Sequence, residues 1–183
     1  VKELDKIKML VVDVDGVLTN GNILVDGQGR ESKSFSIVDG SGIKIWKRAG
    51  LKIAFLSGRY SPATSQQVKE LSIDFCINGT KDKLKEFNKL TKKSRIPAKY
   101  IAYAGDDLPD LPVILNAGFS AASANASDEI KKYADYVTKK KGGQGAVREI
   151  IEYILKKTGR WDAVLKKYMA ASSGKISAGK SKK

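Results

Sequence analysis

Ile7-Lys8-Met9-Leu10-Val11-Val12-Asp13-Val14-Asp15-Gly16-Val17 is the stretch from which the rest of the chain can be read. Ile7 to Val12 is a short apolar run with β-branched residues and almost no polar alternation, which predicts a strand buried on both faces. It ends abruptly in two aspartates and a glycine. Similar runs recur at Lys52 to Leu56, Asp74 to Ile77 and Tyr100 to Ala104, with short late strands at Ala117 to Ala121 and Tyr136-Val137. Helical spacing fills the gaps at Ser41 to Ala49, Pro62 to Leu71, Lys83 to Lys93, Pro109 to Asn116, Ser127 to Ala134 and Ala146 to Lys157. Strands alternating with helices predict an α/β chain, a three-layer αβα Rossmann-like parallel sheet. One segment breaks the alternation. Between Asn22 and Val38, Asp26-Gly27-Gln28-Gly29 separates Ile23-Leu24-Val25 from Lys33 to Val38, which predicts a β-hairpin inserted after the first strand. No room is left for a cap domain. The expected organisation is one domain over residues 1–159, a C-terminal helix over 160–171 and a basic, disordered tail over 172–183.

Composition narrows the chemistry. The chain has 183 residues and no histidine, so Ser-His-Asp and Cys-His hydrolases and histidine-ligated metal sites are excluded. Its single cysteine, Cys76, excludes an internal disulfide and a thiolate zinc cluster, and is expected to behave as a buried small hydrophobe. Acid–base work falls to carboxylates, lysines or tyrosines. The net charge of +14 would suit an anionic partner, but seven basic residues and one acid fall between Arg160 and Lys183. Much of the rest is lysine on helical faces, so nucleic acid is not the expected partner. No apolar run reaches the length of a membrane span or of a signal-peptide core, so a cytoplasmic location is expected.

Each of four strand ends carries a chemically useful group. In an open parallel sheet, ligands bind beyond the carboxyl ends of the strands. Asp13 and Asp15 follow the first strand; two carboxylates so close call for a cation or a shared proton, and oxygen ligands suit Mg2+. Ser57-Gly58-Arg59 follows the second, offering a hydroxyl, a backbone amide and a guanidinium to an anion. Lys83 follows the third and opens a helix. Gly105-Asp106-Asp107 follows the fourth, with Asp107 also suited to cap the next helix. Any one of these could be an ordinary turn or cap; their agreement at consecutive strand ends is the argument.

This set resembles the haloacid dehalogenase superfamily of phosphotransferases over about residues 7–157. By that resemblance Asp13 is the nucleophile, Asp15 the general acid–base, and Ser57 and Lys83 the groups that stabilise the phosphoryl oxygens. Mg2+ is held by Asp13, Asp106 and the Asp15 carbonyl, with Asp107 orienting that shell. The strings Phe35-x-x-x-Asp39-Gly40-x-Gly42-Ile43-Lys44, Gly105-Asp106-Asp107-Leu108-x-Asp110 and Gly142-Gly143-x-Gly145-Ala146-Val147-Arg148-Glu149 are similar to those of a cap-less branch. That branch dephosphorylates 3-deoxy-octulosonate 8-phosphate, a step of lipopolysaccharide biosynthesis, or related nine-carbon sugar acid phosphates. The resemblance implies a homotetramer built through the hairpins. It also implies a substrate site containing Asp15, Asp39, Gly40, Lys44, Arg59 and Lys83. Gln67 stands where the branch usually has an arginine. Gly142 to Gly145, three glycines in four residues, is expected to be mobile at a subunit boundary. The rival readings fit less well. A phosphoreceiver domain needs an acid after the third strand, where Asn78-Gly79 stands. A dinucleotide fingerprint at Gly143-x-Gly145 would need a glycine at Arg148.

Overall fold

The computed structural model describes residues 3–177, with side chains described through residue 170. In chain order the first elements are β1 (Met9–Val12), β2 (Leu24–Val25), β3 (Glu31–Ser32), α1 (Ile37–Arg48), β4 (Lys52–Ser57) and α2 (Pro62–Leu71). Then come β5 (Phe75–Asn78), α3 (Lys83–Ser94), β6 (Ile101–Gly105), α4 (Leu111–Ile114) and β7 (Phe119–Ala122). The last are α5 (Asp128–Tyr133), β8 (Tyr136–Val137), α6 (Ala146–Lys157) and α7 (Trp161–Ser177). Six strands form one sheet in the order β5-β4-β1-β6-β7-β8, and every pairing is parallel.

Strand β1 is central and wholly buried, which is why its sequence shows no polar alternation. Its side chains still alternate in destination. Leu10 and Val12 join a core with Ile43 and Trp46 of α1 and Ile150 and Ile154 of α6, whereas Met9 and Val11 join one with Phe87 of α3 and Val113 of α4. Two helical layers therefore sandwich the sheet. The chain leaves β1 toward β4 on one side and returns by β6 on the other, so the end of β1 is the switch point where a ligand site forms.

Strands β2 and β3 form a separate two-stranded antiparallel hairpin with Leu24 opposite Ser32 and Val25 opposite Glu31. Asp26 Oδ1 accepts the backbone N–H groups of Gln28 and Arg30, each at 2.9 Å, and closes the turn. The returning strand is Glu31–Ser32 rather than Lys33 to Val38, and α1 begins at Ile37 rather than Ser41. The cause is a cap: Ser36 Oγ accepts the backbone N–H of Asp39, starting the helix inside the expected strand. The expected helix from Pro109 is a 3-10 turn, Leu108–Asp110, followed by the short α4, a split that suits the prolines at 109 and 112. Helix α7 runs to Ser177, past the boundary expected at 171; the remainder of the expected tail, 178–183, lies outside the described residues. Cys76 is exposed on edge strand β5 rather than buried.

Candidate active site

Asp13 directly follows β1, its backbone N–H still bonded to the carbonyl of Ala104, so the sheet ladder itself fixes its position. Only 4% of its surface is exposed. Immediately beyond, Val14–Leu18 forms a tight turn in which Gly16 has φ 89°. A side chain at Gly16 would sit 1.9 Å from Asp106 Oδ2, so this glycine lets the Asp106 carboxylate lie against the turn. One carboxylate oxygen from each of Asp13, Asp106 and Asp110 lies within 4.8 Å of the other two.

Burial and the adjacent Asp110 raise Asp13 well above the usual carboxylate range, and the same causes push Asp106 up to about 7. Crowded carboxylates whose charge is this costly fit a divalent cation, which would relieve both desolvation and repulsion. Asp13 and Asp106 can offer oxygens to it. Asp110 is already saturated. Its Oδ1 accepts Lys83 Nζ at 2.6 Å and the hydroxyl of Tyr103, and its Oδ2 accepts the N–H groups of Asp106 at 3.0 Å and Asp107 at 3.3 Å. Asp110 therefore braces the cluster. Asp107 is exposed and starts the 3-10 turn, the capping role expected beside its orienting one.

Lys83 is the first residue of α3, after its cap Asp82, whose side chain accepts the N–H of Lys85. It reaches inward, and its Nζ lies 2.8 Å from Asp13 Oδ1. Burial alone would lower the lysine, but the Asp13 and Asp110 charges outweigh it and the group is raised, so it stays an ammonium. Ser57 ends β4; its hydroxyl donates to the Arg59 carbonyl at 2.7 Å and accepts the Arg59 N–H at 3.2 Å. Gly58, Thr80, Lys83 and Pro109 line one cleft of about 600 Å3.

The remaining expected residues divide. The Asp15 carboxylate does not join the acidic cluster; both its oxygens accept Lys33 Nζ, at 2.7 and 2.8 Å. Arg59 is paired with Glu31 of β3, its Nη2 2.6 Å from Glu31 Oε2. Gly40 and Lys44 line a cleft of about 360 Å3 between α1 and α2, together with Phe35, Gln67 and Glu70. None of the expected catalytic side chains lines that cleft. Asp39 departs furthest from expectation. It is 1% exposed, and its two oxygens accept the N–H groups of Gly145 at 3.1 Å and Arg148 at 2.9 Å. Asp39 is thus a borrowed cap for α6, whose own cap position, Gly145, has no side chain to supply.

The glycine-rich segment is also corrected. Rather than moving freely, Gly142 donates to Asn125 Oδ1 at 2.5 Å and Gly143 to the Val17 carbonyl at 3.1 Å. A Cβ on Gly142 would lie 1.9 Å from Gly16 O. These glycines let one backbone press against the turn that follows Asp13. That turn is held further by Ser123 Oγ and Asn125 Nδ2, which donate to Gly16 O at 3.1 and 3.0 Å.

Sequence reasoning assigned no role to Asp110, Lys33, Glu31, Ser123 or Asn125. Asp110 had a signal, as a third acid one helical turn beyond Asp106. Lys33 had none, being one of 34 basic residues.

Residues 77–151 match the family model described as haloacid dehalogenase-like hydrolase. That match, the parallel sheet and the Asp-Lys-Asp cluster at its switch point place the chain in this class of hydrolases. It is 36% identical to the 3-deoxy-D-manno-octulosonate 8-phosphate phosphatase of Escherichia coli K12 over 162 residues, 88% of this chain and 86% of that protein. It is 38% identical to the same phosphatase of Haemophilus influenzae over 159 residues, 87% of this chain and 88% of that one. A crystal structure of the Moraxella catarrhalis phosphatase with magnesium, phosphate and KDO superimposes with a TM-score of 0.87 at 40% identity, covering 90% of this chain and 95% of that one. Within the haloacid dehalogenase-like hydrolases, the chain belongs to the family of 3-deoxy-D-manno-octulosonate 8-phosphate phosphatases.

Proposed function

We propose that this chain hydrolyses 3-deoxy-D-manno-octulosonate 8-phosphate, with Mg2+, through a phosphorylated Asp13. The observation that carries the reading is the buried Asp13 carboxylate at the end of the central strand, 2.8 Å from an ammonium and beside a second acid suited to a divalent cation. Asp13, Asp106 and the Asp15 carbonyl would hold Mg2+, which would supply positive charge to neutralise the phosphate. Asp13 attacks phosphorus, and the bond to the sugar oxygen breaks with its electron pair on that oxygen. Asp15 gives that oxygen a proton. Asp15 then takes a proton from the water that attacks the phosphorylated aspartate, releasing inorganic phosphate and restoring Asp13. Lys83 and the Ser57 hydroxyl donate to the phosphoryl oxygens that gather charge.

The same proposal includes a homotetramer, supported by exposed apolar residues on and beside the hairpin: Leu24 at 67%, Val25 at 62% and Ile37 at 90%. It also includes a cytoplasmic location; no helix among the described residues is long and apolar enough to cross a membrane. A nine-carbon sugar acid 9-phosphate is the second reading, favoured by Gln67, a neutral amide in the cleft beside Lys44 where an arginine was expected. A panel of phosphate esters with eight- and nine-carbon sugar acids, assayed with Mg2+ and with chelator, tests it. The eight-carbon ester should have the highest kcat/KM, and chelator should abolish turnover. Preference for the nine-carbon ester would select the second reading, and full activity in chelator would overturn both.

A further inference from the structure

The returning arm of the hairpin places two charged residues, Glu31 of β3 and Lys33 just beyond it, two positions apart and therefore on one face of an extended chain. They meet two residues of the site that lie beyond the ends of different strands of the main sheet, Asp15 after β1 and Arg59 after β4. Lys33 forks both oxygens of Asp15, and Glu31 holds Arg59. Arg59 also feels the Asp15 charge, and Glu31 feels that of Lys33, so the four form an alternating cluster. The Lys33 side chain is fully enclosed, 0% exposed, while that of Asp15 is 24% exposed. A lysine normally keeps its ammonium in water, so an enclosed one with a carboxylate across both of its bonds marks a built contact.

We propose that Lys33 is a positioning residue for Asp15: its two bonds fix the rotamer of the carboxylate that exchanges a proton with the leaving oxygen. This rests on the aspartyl-phosphate reading above. Asp15 follows the turn-forming Asp13 and precedes a glycine of positive φ, and its side chain is free of the acidic cluster. Among the described residues, Lys33 is the group that hydrogen-bonds its carboxylate. A general acid that samples several rotamers spends less of its time within reach of the oxygen, and proton delivery suffers in proportion. The hairpin is then part of the catalytic apparatus, as well as an edge available to neighbours.

The test compares two leaving groups. An alkyl or sugar phosphate needs its oxygen protonated, whereas p-nitrophenolate leaves without help. Lys33→Met should lower kcat for the sugar acid phosphate by about tenfold to a hundredfold while changing kcat for p-nitrophenyl phosphate by less than about threefold. Lys33→Arg should recover most of the sugar phosphate rate, because a guanidinium can also fork a carboxylate. Equal losses on both substrates, or no loss on either, would overturn the inference, and so would failure of the arginine to rescue a folded variant. If Lys33→Met does not fold, Lys33→Gln is read by the same ratio. Asp13→Asn runs alongside: wild-type protein with no turnover, or an active Asp13→Asn, would refute the phosphatase reading itself and not this part of it.

Discussion

Gly142→Ala offers the sharpest check on how the turn after Asp13 is held. A Cβ there would stand 1.9 Å from Gly16 O, 2.5 Å from Gly16 C and 2.7 Å from Thr19 O, all backbone atoms that cannot rotate away. The two segments must separate by about 1 Å before the contact becomes tolerable. That movement stretches the bonds that Ser123 and Asn125 donate to Gly16 O, and the bond from Gly142 N to Asn125 Oδ1. Three bonds at about 1 kcal/mol each, with about 1 kcal/mol or more of residual strain, give a loss of about 4 kcal/mol. For a domain of this size that corresponds to a fall in Tm of about 8 to 16 °C. Because the turn carries Asp15 and abuts Asp106, a shift near 1 Å should also cost about a hundredfold in kcat. Thermal denaturation and Mg2+-dependent phosphate release measure the two effects. Gly27→Ala is the control, since a Cβ there meets nothing within 4 Å and should leave both values unchanged. A Gly142→Ala protein with Tm within 2 °C of wild type and kcat within about twofold would refute the close-packing argument, because a loss near a hundredfold is expected.

Asp13→Asn should reduce turnover by at least about a thousandfold, and retention of more than about a tenth would remove Asp13 from the nucleophile role. Asp39→Ala should cost about 1 to 2 kcal/mol by uncapping α6, read as a lower Tm, with KM changed less than about twofold; a large rise in KM at constant Tm would return Asp39 to the substrate site. Asp106, raised to about 7 from 3.8 in the metal-free protein, contributes stability that is present below 3.8 and lost as pH rises through about 7. Chelated protein should therefore lose Tm between pH 5 and 8 by an amount that Asp106→Asn removes, and an identical pH profile in that variant would contradict it. In the same range Mg2+ competes with the proton, so apparent metal affinity should fall steeply below about pH 7; calorimetric titration across pH checks this.

Much of this architecture could be read from the chain because burial leaves a plain signature. Met9–Val12 and Ile101–Gly105 are enclosed on both faces, so their runs are apolar throughout and their ends sharp. The acids after these two strands were legible for the same reason: a charge directly after such a run must lie at the sheet edge, whereas Lys83, five residues beyond the partly buried β5, was legible only as the opening of a helix. Gly142 misled because glycine's freedom and glycine's smallness look alike in sequence, and only the facing Gly16 carbonyl decides between them. The start of α1 misled because Lys33 to Val38 alternates like a strand, while the deciding contact is a hydroxyl cap at Ser36. Lys33 and Glu31 were invisible because their partners, Asp15 and Arg59, meet them only through the folding of the hairpin.

The central placement of β1 has a consequence for how the molecule is made. Its pairing partners are Lys52–Phe55 on one side and Ile101–Ala104 on the other, both far downstream. During synthesis this wholly apolar strand precedes both partners, and even after β4 has paired with one edge the other stays open until β6 has followed. Parallel neighbours of this kind close long loops, which slows folding and leaves the waiting strand exposed to other chains. The Asp13 backbone takes its final place only when the Ala104 carbonyl arrives to receive its N–H. Catalytic competence is therefore acquired late, in the same event that protects the nascent chain from aggregation.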